Sequence, residues 1–378
     1  MSSTRREFIG SAAGALALAN GRIRMLWAED KSAGATLVHD DINAALNNAQ
    51  LSMVFQGGTA EQCREWQQQF HAQLSRLLSD YQPPQKWTVA EERREVLDDH
   101  TRHELLLQAE GVPSVPLYLL VPNGVSAANP APAVLCVHGH GRFGHHPIVG
   151  RRDIEGIVEN LEKHHYDYGL KFVQRGYVVA APCMIPFGRR VQWDRYGGLD
   201  PCLVNFLRMQ ALGQLPMAAN LRDLKWTLDF LQTRPDVQSD RLGCAGLSYG
   251  GRMTMLVSAM DQRIKVAAVS GALNLLQERT SKPYGCGSQI IPGILRYGDY
   301  SEIGSLIAPR PCIWEVGSED PLIIPQWDRV YRARLRKVYT ALGAADRLQF
   351  DDFEGWHRWN GRIAFPLFEQ VLRRSAEQ

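Results

Sequence analysis

Arg241-Leu242-Gly243-Cys244-Ala245-Gly246-Leu247-Ser248-Tyr249-Gly250-Gly251-Arg252-Met253 decides how the rest of this chain is read. Leu242 to Ala245 is a β-like run, and Met253 to Met260 is a helix of small and apolar residues. Ser248 therefore falls on a sharp strand-to-helix turn. Gly246 and Gly250 suit such a turn, because side chains there would meet neighbouring backbone. The turn pushes the serine hydroxyl out at the carboxyl edge of a sheet. A helix N-terminus beside it favours developing negative charge.

Working outward, short apolar runs alternate with helical stretches from Pro130 onward. Ala133–Val137, Tyr177–Ala181, Arg241–Leu247, Ile264–Ser270 and Cys312–Val316 read as strands. Residues 217–232 carry Leu221, Leu224, Leu228 and Leu231 on one helical face. That rhythm predicts a mostly parallel central sheet with helices on both faces, since parallel strands must be covered on each side. Leu105 and Leu107, then Gly111-Val112-Pro113, then Val115, Leu117 and Leu119 read as an antiparallel hairpin at its edge. Ahead of it, Thr59 caps a helix bearing Trp66, Phe70, Leu74, Leu77 and Leu78, ended by Pro83-Pro84. The expected organisation is a leader at residues 1–19, a helical N-terminal extension at 20–98 and a catalytic domain at 99–378. Residues 183–215 and 273–308 break the rhythm, and connections that long usually carry function. Here they would form a lid and pocket wall.

Of the 378 residues, 45% are hydrophobic and 22% charged, which fits a globular chain with a sizeable core. The net charge of +2 argues against nucleic acid or a membrane surface as partner. No apolar run reaches the roughly 18–20 residues of a spanning helix, so no stable membrane insertion is expected once the leader is removed. The leader itself is Thr4-Arg5-Arg6-Glu7-Phe8-Ile9, then a short apolar stretch ending at Ala17 and Ala19. It resembles a twin-arginine signal and implies export to the periplasm or beyond. Three of the seven cysteines, Cys136, Cys244 and Cys312, lie in expected strands. With no CxxC pair, the spacing indicates neither a disulfide framework nor a zinc site.

A serine hydroxyl needs a base, and the base needs an orienting carboxylate. His357 follows the β-like Leu348-Gln349-Phe350, in the loop before a final helix. Asp320 lies in the turn Gly317-Ser318-Glu319-Asp320-Pro321 after a strand, with Glu319 as the rival acid. The loop His138-Gly139-His140-Gly141-Arg142 follows another strand. Its backbone N–H at His140 would join that of Tyr249 in holding an oxyanion, with the imidazoles of His138 and His140 structural. The spacing of His138, His140, His145 and His146 does not match a metal motif, so no metal is expected. Arg142, Arg189 and Arg190 are candidates to hold an anionic or sugar group, or else to brace loops. Trp193, Trp356 and Trp359 could stack on a sugar ring or pack in the core or lid. Of these, Arg142, Trp193 and Trp356 are the substrate-binding candidates.

These motifs resemble the α/β-hydrolase superfamily over roughly residues 100–375. More narrowly, they are similar to the acetyl xylan esterase, dienelactone hydrolase and cephalosporin-C deacetylase-like branch. The likeness rests on His138–Gly141, Gly246–Gly251, Cys286–Gly293, Ile307-Ala308-Pro309-Arg310-Pro311 and Gly317–Asp320. Dienelactone hydrolases proper use cysteine where this chain has Ser248. The resemblance implies a serine ester hydrolase working through an acyl-enzyme without a cofactor. It implies short-acyl esters, acetylated carbohydrates above all, as small-molecule or polysaccharide substrates. Gly-x-Ser-Tyr-Gly-Gly also resembles prolyl-oligopeptidase-like peptidases, but the segment before the hairpin is too short for their propeller. A non-catalytic binding protein of the same fold is the other alternative.

Overall fold

The structure is a computed structural model that describes residues 16–19, 22–25, 38–79, 81–280 and 286–373. The chain forms two compact units, residues 1–45 and 46–378. In the first, β1 (Leu16–Ala19) pairs antiparallel with β2 (Arg22–Met25). The leader assigned to residues 1–19 otherwise lies outside the described residues.

The second unit is built on a nine-stranded sheet. Its strands are β3 (Thr88–Val96), β4 (His100–Ala109), β5 (Val112–Pro122), β6 (Ala131–Val137), β7 (Val178–Pro182), β8 (Val237–Leu247), β9 (Ile264–Ser270), β10 (Cys312–Gly317) and β11 (Leu348–Phe353). The spatial order is β11-β10-β9-β8-β6-β7-β5-β4-β3. From β11 to β7 every pairing is parallel, and from β7 to β3 every pairing is antiparallel. The expected sheet is therefore present. Its antiparallel edge is one strand larger than a hairpin, because β3 adds to β4. Residues 88–96, within the helical extension expected at 20–98, are thus corrected to a strand. The run Thr88-Val89-Ala90-Glu91-Glu92-Arg93-Arg94-Glu95-Val96 lacks apolar alternation, and as an outer strand it has no buried face to demand one. A bulge between Glu91 and Arg93 interrupts its register.

Alternate residues of the central strands feed two apolar layers. Leu135 and Val137 of β6 join Phe70, Trp226, Met253 and Leu335, from the helices Ala60–Leu78, Pro216–Thr233, Tyr249–Met260 and Pro325–Ala341. Val134 and Cys136 join Phe172, Trp359 and Phe368 on the opposite face. Thr59 caps its helix with a reciprocal box: its hydroxyl accepts from Gln62 N–H, and the Gln62 side chain returns to the cap backbone. Cys136, Cys244 and Cys312 are buried as small hydrophobes, and all seven cysteines are unpaired. No helix among the described residues is long and apolar enough to cross a membrane.

The first insertion contains short turns at Gly188–Arg190 and Trp193–Tyr196 and a helix, Pro201–Ala211. Leu203 and Leu207 are exposed on that helix, with Trp193, Leu199 and Leu212 exposed nearby in sequence. Eleven residues make only three turns, short of a long apolar cover.

Candidate active site

Ser248 lies at the junction of β8 and the helix Tyr249–Met260, with φ 65° and ψ −123°. A non-glycine residue there carries strain of about 1–3 kcal/mol, tolerated where the surroundings over-determine it. The neighbouring glycines show how they do so. A Cβ on Gly250 would fall 1.9 Å from the Val137 carbonyl oxygen, and one on Gly246 would fall 2.5 Å from the Gly250 carbonyl carbon. The serine N–H donates to the Ser270 carbonyl at 2.8 Å, so the end of β9 holds the turn. Tyr249 opens the helix, and its backbone N–H has no intrahelical acceptor.

His357 and Asp320 meet across the ends of β11 and β10. Nδ1 of His357 lies 2.6 Å from Oδ2 of Asp320, whose Oδ1 accepts from the Leu322 N–H at 2.9 Å. Both residues are buried, Asp320 at 5% exposure and His357 at 7%. Glu319 is exposed, and only its backbone is engaged, donating to the Gly355 carbonyl. The imidazole of His357 packs against Gly271, where a Cβ would come 2.6 Å from its Cε1 and 3.0 Å from Leu247 Cδ1. It thus lies beside the residue after Ser270 and the residue before Ser248. Among the described residues its Nε2 has no hydrogen-bond partner.

Sequence reasoning missed what seats the His357 loop. Glu315, buried in β10, accepts from Gly361 N–H at 2.7 Å and Asn360 N–H at 3.3 Å. Asp351 of β11 accepts from the Asn360 side chain at 2.8 Å and from Arg362. His164 adds Nδ1 at 2.8 Å from the His357 carbonyl oxygen. The available signal was a charged residue inside an otherwise apolar central strand. Burial raises the Glu315 carboxyl to about 7.

The loop after β6 is held by its first histidine. His138 donates through Nδ1 to the Gly139 carbonyl at 2.7 Å, and its Nε2 accepts from Met184 N–H at 2.9 Å. Burial lowers it to about 4, which fits a neutral, structural imidazole. His140 stands above Tyr249, with ring centroids 4.9 Å apart, and its Nε2 is 2.8 Å from Cys286 Sγ. The Tyr249 hydroxyl accepts from Asn220 at 2.9 Å and donates to the Ser288 carbonyl at 3.1 Å.

The remaining candidates divide. Arg142 is exposed and braces its own loop, donating to the Glu155 carbonyl and stacking on Phe143. Arg189 pairs with Glu92, and Arg190 with Asp223. Trp359 is buried core, whereas Trp193 and Trp356 are exposed, the latter adjoining His357.

A strained serine elbow at the C-terminal edge of a mostly parallel sheet, with a carboxylate–imidazole pair on later strands, defines an α/β-hydrolase. A dienelactone hydrolase family model matches residues 147–281. A Bacillus subtilis protein described as a hydrolase, YtaP, is 31% identical over 282 residues, covering 72% of this chain and 88% of its own. The chain belongs to the dienelactone hydrolase family and is a carboxylic-ester-type hydrolase. Solved structures show the same fold at low identity. A Bacteroides fragilis protein described as an acetyl xylan esterase superposes with a TM-score of 0.75 at 17% identity, covering 89% of this chain and 95% of its own. A glucuronoyl esterase from Solibacter usitatus gives 0.59 at 16%, covering 83% and 94%.

Proposed function

We propose that this protein is a serine esterase with Ser248 as nucleophile, His357 as general base and Asp320 as the orienting acid. The observation that carries the reading is the 2.6 Å Asp320–His357 contact, beside a strained Ser248 and leaving Nε2 unpartnered. Nε2 takes the serine proton as Oγ attacks the ester carbonyl. The oxyanion is held by the backbone N–H groups of Tyr249 and His140. Collapse expels the alcohol, protonated by His357, and leaves an acyl-serine. Water, deprotonated by the same imidazole, then releases the acid and restores Ser248.

The substrate favoured is a short acyl group, acetate foremost, on a carbohydrate alcohol. Exposed Trp193 and Trp356 offer aromatic faces for a sugar ring, and among the described residues of the insertions there is no long apolar helix for lipid. Arg142 is a further contact only if it leaves the Glu155 carbonyl. Proteins of this fold carry names pointing to acetyl xylan and glucuronoyl esters. The Arg5-Arg6 leader supports export to where such polymers are met.

Two measurements test the reading. A fluorophosphonate probe should label wild type and spare Ser248→Ala. Across aryl esters from acetate to decanoate, kcat/KM should peak at acetate. A maximum at octanoate or beyond would overturn the substrate assignment, and failure to label would overturn the mechanism.

A further inference from the structure

Beside the proposed oxyanion loop, three side chains from three separate segments come together: His140, Cys202 and Cys286. Nε2 and the two Sγ atoms all lie within 4.8 Å of one another. We propose that they form a binding site for a thiophilic d¹⁰ cation, with Zn²⁺ as the expected occupant.

The donor chemistry selects the ion. Two thiols and an imidazole, with no carboxylate among them, suit zinc or copper(I) rather than magnesium or calcium. Bonds of about 2.0 Å to nitrogen and about 2.3 Å to sulfur place tetrahedral ligands roughly 3.5–3.8 Å apart. The cluster needs to relax by only about an ångström to meet that spacing. In particular, His140 Nε2 and Cys286 Sγ, now 2.8 Å apart as a hydrogen bond, would open to admit the ion between them. Three protein donors leave a fourth position for water or an outside ligand. Charge balances simply: Zn²⁺ displaces the protons that the two thiols and the imidazole Nε2 carry in the empty site, which pass to solvent.

The frame holding these donors is specific. His140 is placed by the loop that His138 ties to Met184. Cys202 sits in the first turn of the helix Pro201–Ala211, where the Asp200 carboxylate caps its N–H at 2.8 Å. Cys286 opens the short turn Gly287–Gln289, its carbonyl accepting from Gln289 N–H at 2.9 Å. The helix and turn approach closely because Gly287 lacks a side chain, since a Cβ there would fall 2.5 Å from Phe206 Cβ. Cys286 is half-buried, which gives an entering ion access, whereas the other six cysteines are buried. Sequence spacing hid the site, as its ligands lie at positions 140, 202 and 286 in no recognisable pattern.

The test uses the full chain, stripped with a chelator and kept reduced with a phosphine. Zinc is titrated against a chromophoric chelator, and cadmium by its thiolate charge-transfer absorbance. About one equivalent should bind, with release of protons to solvent. Cys202→Ser, Cys286→Ser and His140→Ala should each weaken binding by about 100-fold or more, since even an outer-shell partner is worth 10–100-fold. Cys63→Ala, distant in the core, should bind as wild type does. In unmutated protein, zinc should slow alkylation of Cys286, read by peptide mass spectrometry, which covers the case of a variant that does not fold. Substoichiometric binding, binding that survives both serine variants, or alkylation of Cys286 unchanged by zinc would each overturn the proposal. These readouts do not involve ester hydrolysis, so they stand apart from any failure of the serine mechanism.

Discussion

Asp320 accepts from His357 at 2.6 Å, while Glu319, its neighbour in the chain, is turned out to solvent. One residue of register in a turn thus separates a carboxylate that fixes an imidazole from one that contacts nothing catalytic. Asp320→Asn should lower kcat/KM by about 10⁴-fold, as an amide favours the wrong imidazole tautomer. Glu319→Gln should stay within a few-fold of wild type. Steady-state kinetics on one aryl acetate decides the matter, and a larger loss in the glutamine variant would reverse the assignment.

Ser248→Ala and His357→Ala should each cost about 10⁴-fold or more in kcat, and the double variant little beyond either. Groups that act as one unit lose their function together. Retention of a tenth of the activity in a correctly folded single variant would remove that residue from the mechanism.

The Ser248 elbow also predicts a stability effect. Glycine reaches φ 65° without penalty, but it loses more entropy on folding, by about 0.5–1 kcal/mol. Set against strain of about 1–3 kcal/mol, Ser248→Gly should be inactive yet more stable by about 1 kcal/mol. Urea unfolding would show a higher midpoint. A lower midpoint would mean that the turn stores no strain.

Glu315 gives a pH dependence of defined sign. Its ordinary value is 4.5, and burial, outweighing two N–H donors, raises it to about 7 in the fold. Between those values the folded chain keeps a proton that the unfolded chain gives up, so the stability from this group is full below about 4.5 and lost as pH rises through about 7. The cost at alkaline pH is on the order of 3 kcal/mol. Glu302, raised to about 7 by burial, adds a slope of the same sign. Glu315→Gln should flatten, though not abolish, the decline in unfolding free energy between pH 5 and 8. An unchanged slope would show that Glu315 does not keep its proton.

The places of Ser248, Asp320 and His357 at strand ends were legible because each follows an apolar run, and the ends of parallel strands converge on one edge. Gly246, Ser248 and Gly250 carried more information than any hydropathy pattern, since the backbone approach at Gly250 admits no side chain. Residues 88–96 escape a strand pattern because neither face of this outer strand is buried, so its side chains follow no inward–outward alternation. Arg142 was legible only as an alternative, since nothing in a loop sequence says whether a guanidinium reaches outward or back to a carbonyl. The supports at Glu315 and Asp351 and the His140–Cys202–Cys286 cluster come from contacts between distant segments, which local spacing does not encode.

The outer strand β3 has a consequence for life in a crowded compartment. Among the described residues no strand pairs with β3 on its far side, and a terminal strand is the kind of border onto which another chain can add a strand. Along that border the protein sets Glu91, Glu92, Arg93, Arg94 and Glu95 in succession, with a bulge between Glu91 and Arg93. An approaching strand would have to desolvate those charges and follow a kinked rail, so self-templating is discouraged. The run contributes little to the core, and its worth to the molecule is colloidal: it keeps neighbouring copies from knitting their sheets together.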